Sequence, residues 1–118
     1  MAITTESREV QLTVPAKADY IVLARLALSA VCRLTPLEAE DVADLKLAIT
    51  EAATGVMGSE PDDQLSFGFR LDDDALVLEI GGSERAGISP EEEELGRAII
   101  EATVDQCERS GGTMRLVK

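Results

Sequence analysis

Few residues of this 118-residue chain are equipped for chemistry. There is no histidine, and the two cysteines, Cys32 and Cys107, are far apart and form no CxxC pair. A zinc site or a histidine-based triad is therefore implausible. Carboxylates are left, and the one with a telling neighbour is Glu51. It flanks a stripe of Leu45, Ile49, Ala52 and Val56, whose spacings of four, three and four place them on one helical face. Gly55 follows one turn later on the same side, where glycine costs a helix about 1 kcal/mol relative to alanine. A carboxylate beside a core with a costly glycine one turn on is what a catalytic helix would look like after losing a functional residue. The plainer reading is a solvated Glu51 and a glycine that loosens the helix end. A second candidate is Arg25, the only charge in the thirteen residues from Tyr20 to Cys32. Such an arginine snorkels to solvent or pairs with a nearby carboxylate, or it anchors a protein partner, since arginine is enriched at interface hot spots.

The elements that must hold these residues are legible from periodicity. Val10, Leu12 and Val14 alternate with polar residues as a half-buried strand ended by Pro15, after a polar start from Met1 to Arg8. Lys17 to Arg33 reads as a helix, apolar on most sides. Ile21, Ala24, Leu28 and Val31 form one face, and Val22, Leu23, Leu26 and Ala27 widen it. So much apolar surface implies burial on two sides, against a sheet and against another helix or subunit. Thr35-Pro36-Leu37-Glu38 reads as a helix start with a capping box, leading into the Glu51 stretch and a loop from Gly58 to Asp63. Leu65 to Leu71 and Leu76 to Ile80 are alternating strands joined by Asp72-Asp73-Asp74, an antiparallel hairpin. A Gly81–Gly87 loop follows. Ser89-Pro90-Glu91-Glu92 opens a third helix running to about Arg109, with Ile99, Ala102 and Val104 or Cys107 inward. Gly111-Gly112 stops it, and Met114 to Lys118 is a last strand. The order β-α-α-β-β-α-β predicts one α+β domain over residues 1–118. It is a two-layer sandwich with three helices on one face of a mostly antiparallel four-stranded sheet.

Composition narrows the function. With 45% hydrophobic and 29% charged residues the chain is globular rather than disordered. Eleven cations against 23 carboxylates give a net charge of -12. Nucleic acid and anionic membrane are excluded as partners, because the dominant attraction to phosphate would have the wrong sign. A basic protein suits it better. The run from Tyr20 to Cys32 is too short to span a bilayer, and unpaired cysteines fit a reducing compartment, so a cytoplasmic protein is expected.

In this order of elements the chain resembles the bacterial anti-sigma-factor serine kinases of the GHKL superfamily, which have the Bergerat or histidine-kinase-like ATPase fold. The resemblance rests on LTVPAKADYIVLARLALSAV, DLKLAITEAATGVM and ELGRAIIEATVDQCE followed by GGTMRLVK, and covers almost the whole chain. It implies a protein that holds a sigma factor inactive and phosphorylates a serine on an antagonist, using ATP and magnesium. The family's E-x-x-x-N motif supplies a general base and a metal ligand; here it reads Glu51 and Gly55, and glycine offers magnesium no side-chain oxygen. The family's D-x-G motif binds adenine through its Asp, and here Ile80 stands at that Asp and Gly82 at the Gly. The phosphate-cradling G-x-G reads Glu94-Leu95-Gly96, preceded by a run of glutamates, and the lid shrinks to Ala86–Ser89. Gly112-Thr113 is unchanged. Gly82, Gly96, Gly112 and Thr113 are thus the remnant of a nucleotide site, Glu51 a vestigial base, and no metal site is expected. Arg25 matches the arginine with which the family touches its protein partners. The resemblance with these departures implies a pseudokinase, a regulator of transcription that works by protein binding and needs no cofactor. Its partner would be a sigma factor or an antagonist, and it would form a homodimer. The alternative is a divergent active serine kinase using ATP and magnesium, with Asp62 or Asp63 as substitute metal ligand.

Overall fold

The strongest alternation in the sequence becomes the centre of the sheet. Strand β3 (Gln64–Asp72) pairs with β4 (Ala75–Gly81) in an antiparallel hairpin, closed through Asp72 opposite Ala75. Asp73 takes a positive φ of 56° in the two-residue turn, a conformation aspartate tolerates better than most side chains. The computed structural model describes residues 1–6, 9–83 and 88–118. Within them the remaining elements are β1 (Ala2–Glu6), β2 (Glu9–Pro15), α1 (Ala18–Cys32), α2 (Ala39–Gly55), α3 (Pro90–Thr103), β5 (Gln106–Ser110) and β6 (Thr113–Val117). The sheet is wholly antiparallel, in the order β1-β2-β3-β4-β6-β5.

One face of this sheet carries the core. Leu12 and Val14, Leu65, Phe67 and Phe69, Leu76, Leu78 and Ile80, and Met114 and Leu116 are all buried. They meet Ile21, Ala24, Leu28 and Val31 of α1, Leu45, Ala48, Ile49 and Ala52 of α2, and Ile100 of α3 in a single cluster. The alternate strand positions, Gln11, Ser66, Glu79 and Thr113 among them, are exposed on the other face. The α+β two-layer reading therefore holds, with all three helices on one side.

Three details differ from the sequence reading. The sheet has six strands, not four. The polar start is strand β1, in register with β2 from Ala2 opposite Thr13 to Glu6 opposite Glu9. As an edge strand with polar alternation, it gave no apolar pattern to detect, though Ile, Thr and Thr are good strand formers. The third helix ends at Thr103 rather than near Arg109. Thr103 Oγ1 donates back to the carbonyls of Ile99 and Ile100, both at 2.9 Å. Val104 is extended at φ -126°, ψ 163°, and Asp105 N–H donates to the Val117 carbonyl at 2.9 Å. The chain then returns as β5 along β6, so Gly111, at φ 59°, turns a hairpin and does not stop a helix. The shortened α3 turns Ile100 and Thr103 inward and leaves Ala102 exposed.

Helix α2 begins later than Thr35. Its N-cap is Glu38, which forms a capping box with Asp41, whose Oδ2 accepts from Glu38 N–H at 3.1 Å. Thr35 instead closes the turn after α1, donating to the Cys32 carbonyl at 2.7 Å. The third cap is as expected, with Ser89 Oγ accepting from Glu92 N–H at 3.2 Å and Pro90 in the first turn. Among the described residues no helix is long and apolar enough to cross a membrane.

Candidate functional site

The C-terminal half of α2 is held down by Ile49, Ala52 and Val56, none of which is exposed to solvent. That places Glu51 and Gly55 on the flank facing α3, where a cleft of about 270 Å³ opens between α2, α3 and the β5–β6 hairpin. Glu51, Gly55 and Gly96 all line it, so three of the residues singled out by sequence converge. A Cβ built on Gly96 would lie 3.5 Å from the Glu51 carboxylate, and one on Gly55 would meet only the methyl of Met114, at 3.7 Å. A Cβ at Gly55 would thus make only an ordinary contact. Packing does not require glycine there.

The glutamate run is split by the helical turn. Glu92 and Glu93 line the cleft, while Glu94 lines a shallower groove with Arg97 and Glu101. Leu95, Ile99, Ile100, Cys107 and Met114 make the rest of the cleft wall apolar. Ile88, from the short segment named as a lid, also reaches the wall; Ala86 and Gly87 lie outside the described residues.

Gly82 and Gly112 have a different role. Gly82 N–H donates to the Gly112 carbonyl and Ser83 N–H to the Val56 carbonyl, both at 2.8 Å. This knits the end of β4 to the β5–β6 turn and to the end of α2. A Cβ on Gly82 would collide with the Val56 carbonyl oxygen, and one on Gly112 would stand 2.9 Å from the Gly82 carbonyl oxygen. Neither glycine is among the residues lining the cleft. Thr113 points to the open face of the sheet, beside Gln11, Ser66 and Glu79. Ile80 is opposite Phe67 on one side and Met114 on the other and has no exposed surface.

The residue that sequence reasoning missed is Arg109. Helical periodicity would carry it on α3, but that helix ends six residues earlier, which changes its direction. On β5 it alternates with Glu108 and, with Cys107, faces the helices. Its Nη2 donates to the Gly55 carbonyl at 3.3 Å, its Nε to the Gly111 carbonyl at 3.5 Å, and its Nη1 pairs with Glu93 at 3.6 Å. The Gly111-Gly112 pair, which marks a hairpin turn as readily as a helix stop, was the signal that could have placed it.

Arg25 is remote from the cleft, on the solvent side of α1. Val22, Arg25, Leu26 and Ser29 fall on one arc of that helix, with Val22 52% and Leu26 64% exposed. Among the described residues no side chain pairs with the Arg25 guanidinium. The apolar width expected of α1 is therefore real, and its outer part faces solvent.

Among the described residues no group of three or more histidine, cysteine, aspartate or glutamate side chains is arranged to hold a metal. Asp63, one of the two substitute ligands considered, accepts from Glu60 N–H at 3.0 Å in its own loop.

Comparison with known proteins agrees with this architecture. The crystal structure of the RsbU and RsbW domains of Rv1364c from Mycobacterium tuberculosis matches 94% of the chain with a TM-score of 0.69 at 17% identity, over 31% of that longer chain. The fold is shared with that protein. No family model matches the chain. The serine-protein kinase RsbW of Bacillus pumilus is 31% identical over 111 residues, which cover 86% of this chain and 67% of that protein. The serine-protein kinase RsbW of Oceanobacillus iheyensis is 27% identical over 114 residues, 92% of this chain and 72% of its relative. The chain belongs to the RsbW family of serine-protein kinases.

Proposed function

We propose that this protein is an anti-sigma-factor-like regulator that acts by binding a protein partner, and that its nucleotide site is degenerate. The observation that carries this reading is the pair Gly55 and Ile80. Where the family resemblance puts a metal ligand there is a glycine with no side-chain oxygen, at a place where a side chain would fit, and where it puts the adenine ligand there is an aliphatic chain sealed between Phe67 and Met114. Magnesium needs oxygen donors. Glu92 and Glu93 on the cleft wall add repulsion toward a triphosphate. These residues do not fit magnesium-ATP. The alternative, a divergent serine kinase, draws on Glu51 lying against Gly96 at the cleft, where it has the position of a general base. It needs an oxygen ligand other than residue 55, and Asp63, one of the two candidates, already accepts from Glu60 N–H in its own loop.

Binding is assigned to the outer face of α1, where an arginine with no side-chain partner among the described residues is bracketed by exposed Val22 and Leu26. That combination, a cation ringed by apolar surface, is the make-up of an interface hot spot. The net charge of -12 steers a basic partner toward the protein as a whole, while Arg25 asks that partner for a local carboxylate or carbonyl. The partner class is a sigma factor or its antagonist. Pairing of two copies through α1 would bury the same patch, so a homodimer built there and a partner bound at Arg25 exclude one another.

The test is affinity for purified sigma factors and antagonists from the same cell. Arg25→Ala should weaken the productive complex by at least about 30-fold, the equivalent of about 2 kcal/mol, with unchanged circular dichroism because Arg25 is exposed. Equal affinity of wild type and variant would remove Arg25 from the interface.

A further inference from the structure

The cleft holds its own cation. Each nitrogen of the Arg109 guanidinium has a partner on a different element: Gly111 on the β5–β6 turn, Gly55 at the last turn of α2, and Glu93 in the first turns of α3. The Gly55 carbonyl is one of the terminal helix carbonyls that have no partner inside the helix, and the C-terminal end of a helix dipole favours a positive charge. Helix α2 carries no basic residue in its own last turn. Helix α3 starts with Glu91, Glu92 and Glu93, an excess of negative charge. Arg109 answers both needs from a third element.

We propose that Arg109 is a latch, a partly exposed cation that ties α2, α3 and the β5–β6 hairpin together and holds the walls of the cleft in place. The latch uses only this chain's own residues, so it stands whether or not the cleft takes a nucleotide, and its test uses none. Its contacts, at 3.3–3.6 Å, are long for hydrogen bonds and ion pairs, and the Arg109 and Glu93 side chains are 30% and 45% exposed. Contacts of that kind open and close without unfolding the protein. Opening would free the first half of α3, which has no buried residue before Ile100, while the core beneath it stays packed.

Cys107 reports on this motion. It lines the same cleft two residues from Arg109. Burial pushes its thiol up, Glu101 adds to the effect, and Arg97 and Arg109 oppose it. Removing Arg109 would by charge alone raise the thiol further and slow its alkylation. A faster reaction therefore reports greater access to the thiol, and amide exchange over residues 90–97 tells opening of α3 from the loss of the arginine's own cover. Cys32, buried at the C-terminal end of α1, is an internal control for global unfolding.

The experiment is alkylation of the full chain by a maleimide near neutral pH, read at each cysteine by mass spectrometry, with amide exchange followed over residues 90–97. In Arg109→Ala, Cys107 should react at least about fivefold faster and amides 90–97 exchange faster, while Cys32 stays protected. Glu93→Gln, at an exposed site, removes one arm of the latch and should give a smaller change in the same direction. If Arg109→Ala unmasks Cys32 as well, the domain has unfolded and Glu93→Gln decides: faster Cys107 alkylation together with faster exchange of amides 90–97 supports the latch. Unchanged or slower Cys107 alkylation, or unchanged exchange of amides 90–97, in folded Arg109→Ala, or in Glu93→Gln where it decides, overturns it.

Discussion

Ile80→Asp, which restores the carboxylate expected at the family's adenine position, should cost the domain about 4 kcal/mol or more. Ile80 has no exposed surface and lies between Phe67 and Met114 on the core side of the sheet. The substitution removes buried aliphatic volume, worth about 2–5 kcal/mol for a large-to-small change. It also leaves a carboxylate with no partner in an apolar layer, which adds several kcal/mol unless the group takes up a proton. For a domain whose whole stability is about 5–15 kcal/mol, that is enough to unfold much of the population. The penalty has a definite pH sign. Burial raises the folded pKa of the new aspartate above its unfolded value near 4, so the loss is full at neutral pH and shrinks as pH falls toward 4. Urea denaturation of Ile80→Asp beside Ile80→Val, which should lose only about 0.5–1.5 kcal/mol, measures it. An aspartate variant within 1 kcal/mol of wild type, to order of magnitude, would mean that position 80 opens onto a polar site.

The second large effect separates two kinds of glycine. Gly82→Ala should destabilise by about 2–3 kcal/mol, because its Cβ collides with the Val56 carbonyl, a backbone atom fixed by the hydrogen bond from Ser83 N–H. Gly96→Ala should be neutral or stabilise by up to about 1 kcal/mol, since it adds a methyl inside α3 at ordinary contact distance from Glu51. Both glycines belong to the remnant nucleotide site implied by resemblance, yet only Gly82 is held by packing. Thermal unfolding of the two variants side by side reads the difference. Equal losses would mean that α3 packs against α2 as tightly as β4 does against the Val56 turn.

Much of this was legible in the sequence, and the exceptions have physical causes. The inward faces of β2, β3, β4, α1 and α2 follow the periodicity because each has a buried and a solvated side, and Leu45, Ile49, Ala52 and Val56 are buried as their spacing requires. Strand β1 could not be seen because it lies at a sheet edge with polar alternation. Strand β5 was hidden because Gln106, Glu108 and Arg109 are good helix residues directly after a helix, and only pairing with β6 decides otherwise. That one misread element concealed Arg109, since a residue's direction follows from the element that carries it. Glu51, Gly55 and Gly96 were brought together by helix spacing and resemblance. The room for a side chain at Gly55 and the close approach at Gly82 are matters of three-dimensional packing that no spacing reveals.

In the proposed regulator, partner binding has outlasted nucleotide binding. Isothermal titration of the full chain with ATP and magnesium tests it most directly. No saturable heat is expected at nucleotide concentrations up to about 1 mM, corresponding to binding weaker than about 4 kcal/mol. Saturable binding in the micromolar range, lost in Glu51→Ala or on removing magnesium, would contradict it and return the protein to the active kinases of its family.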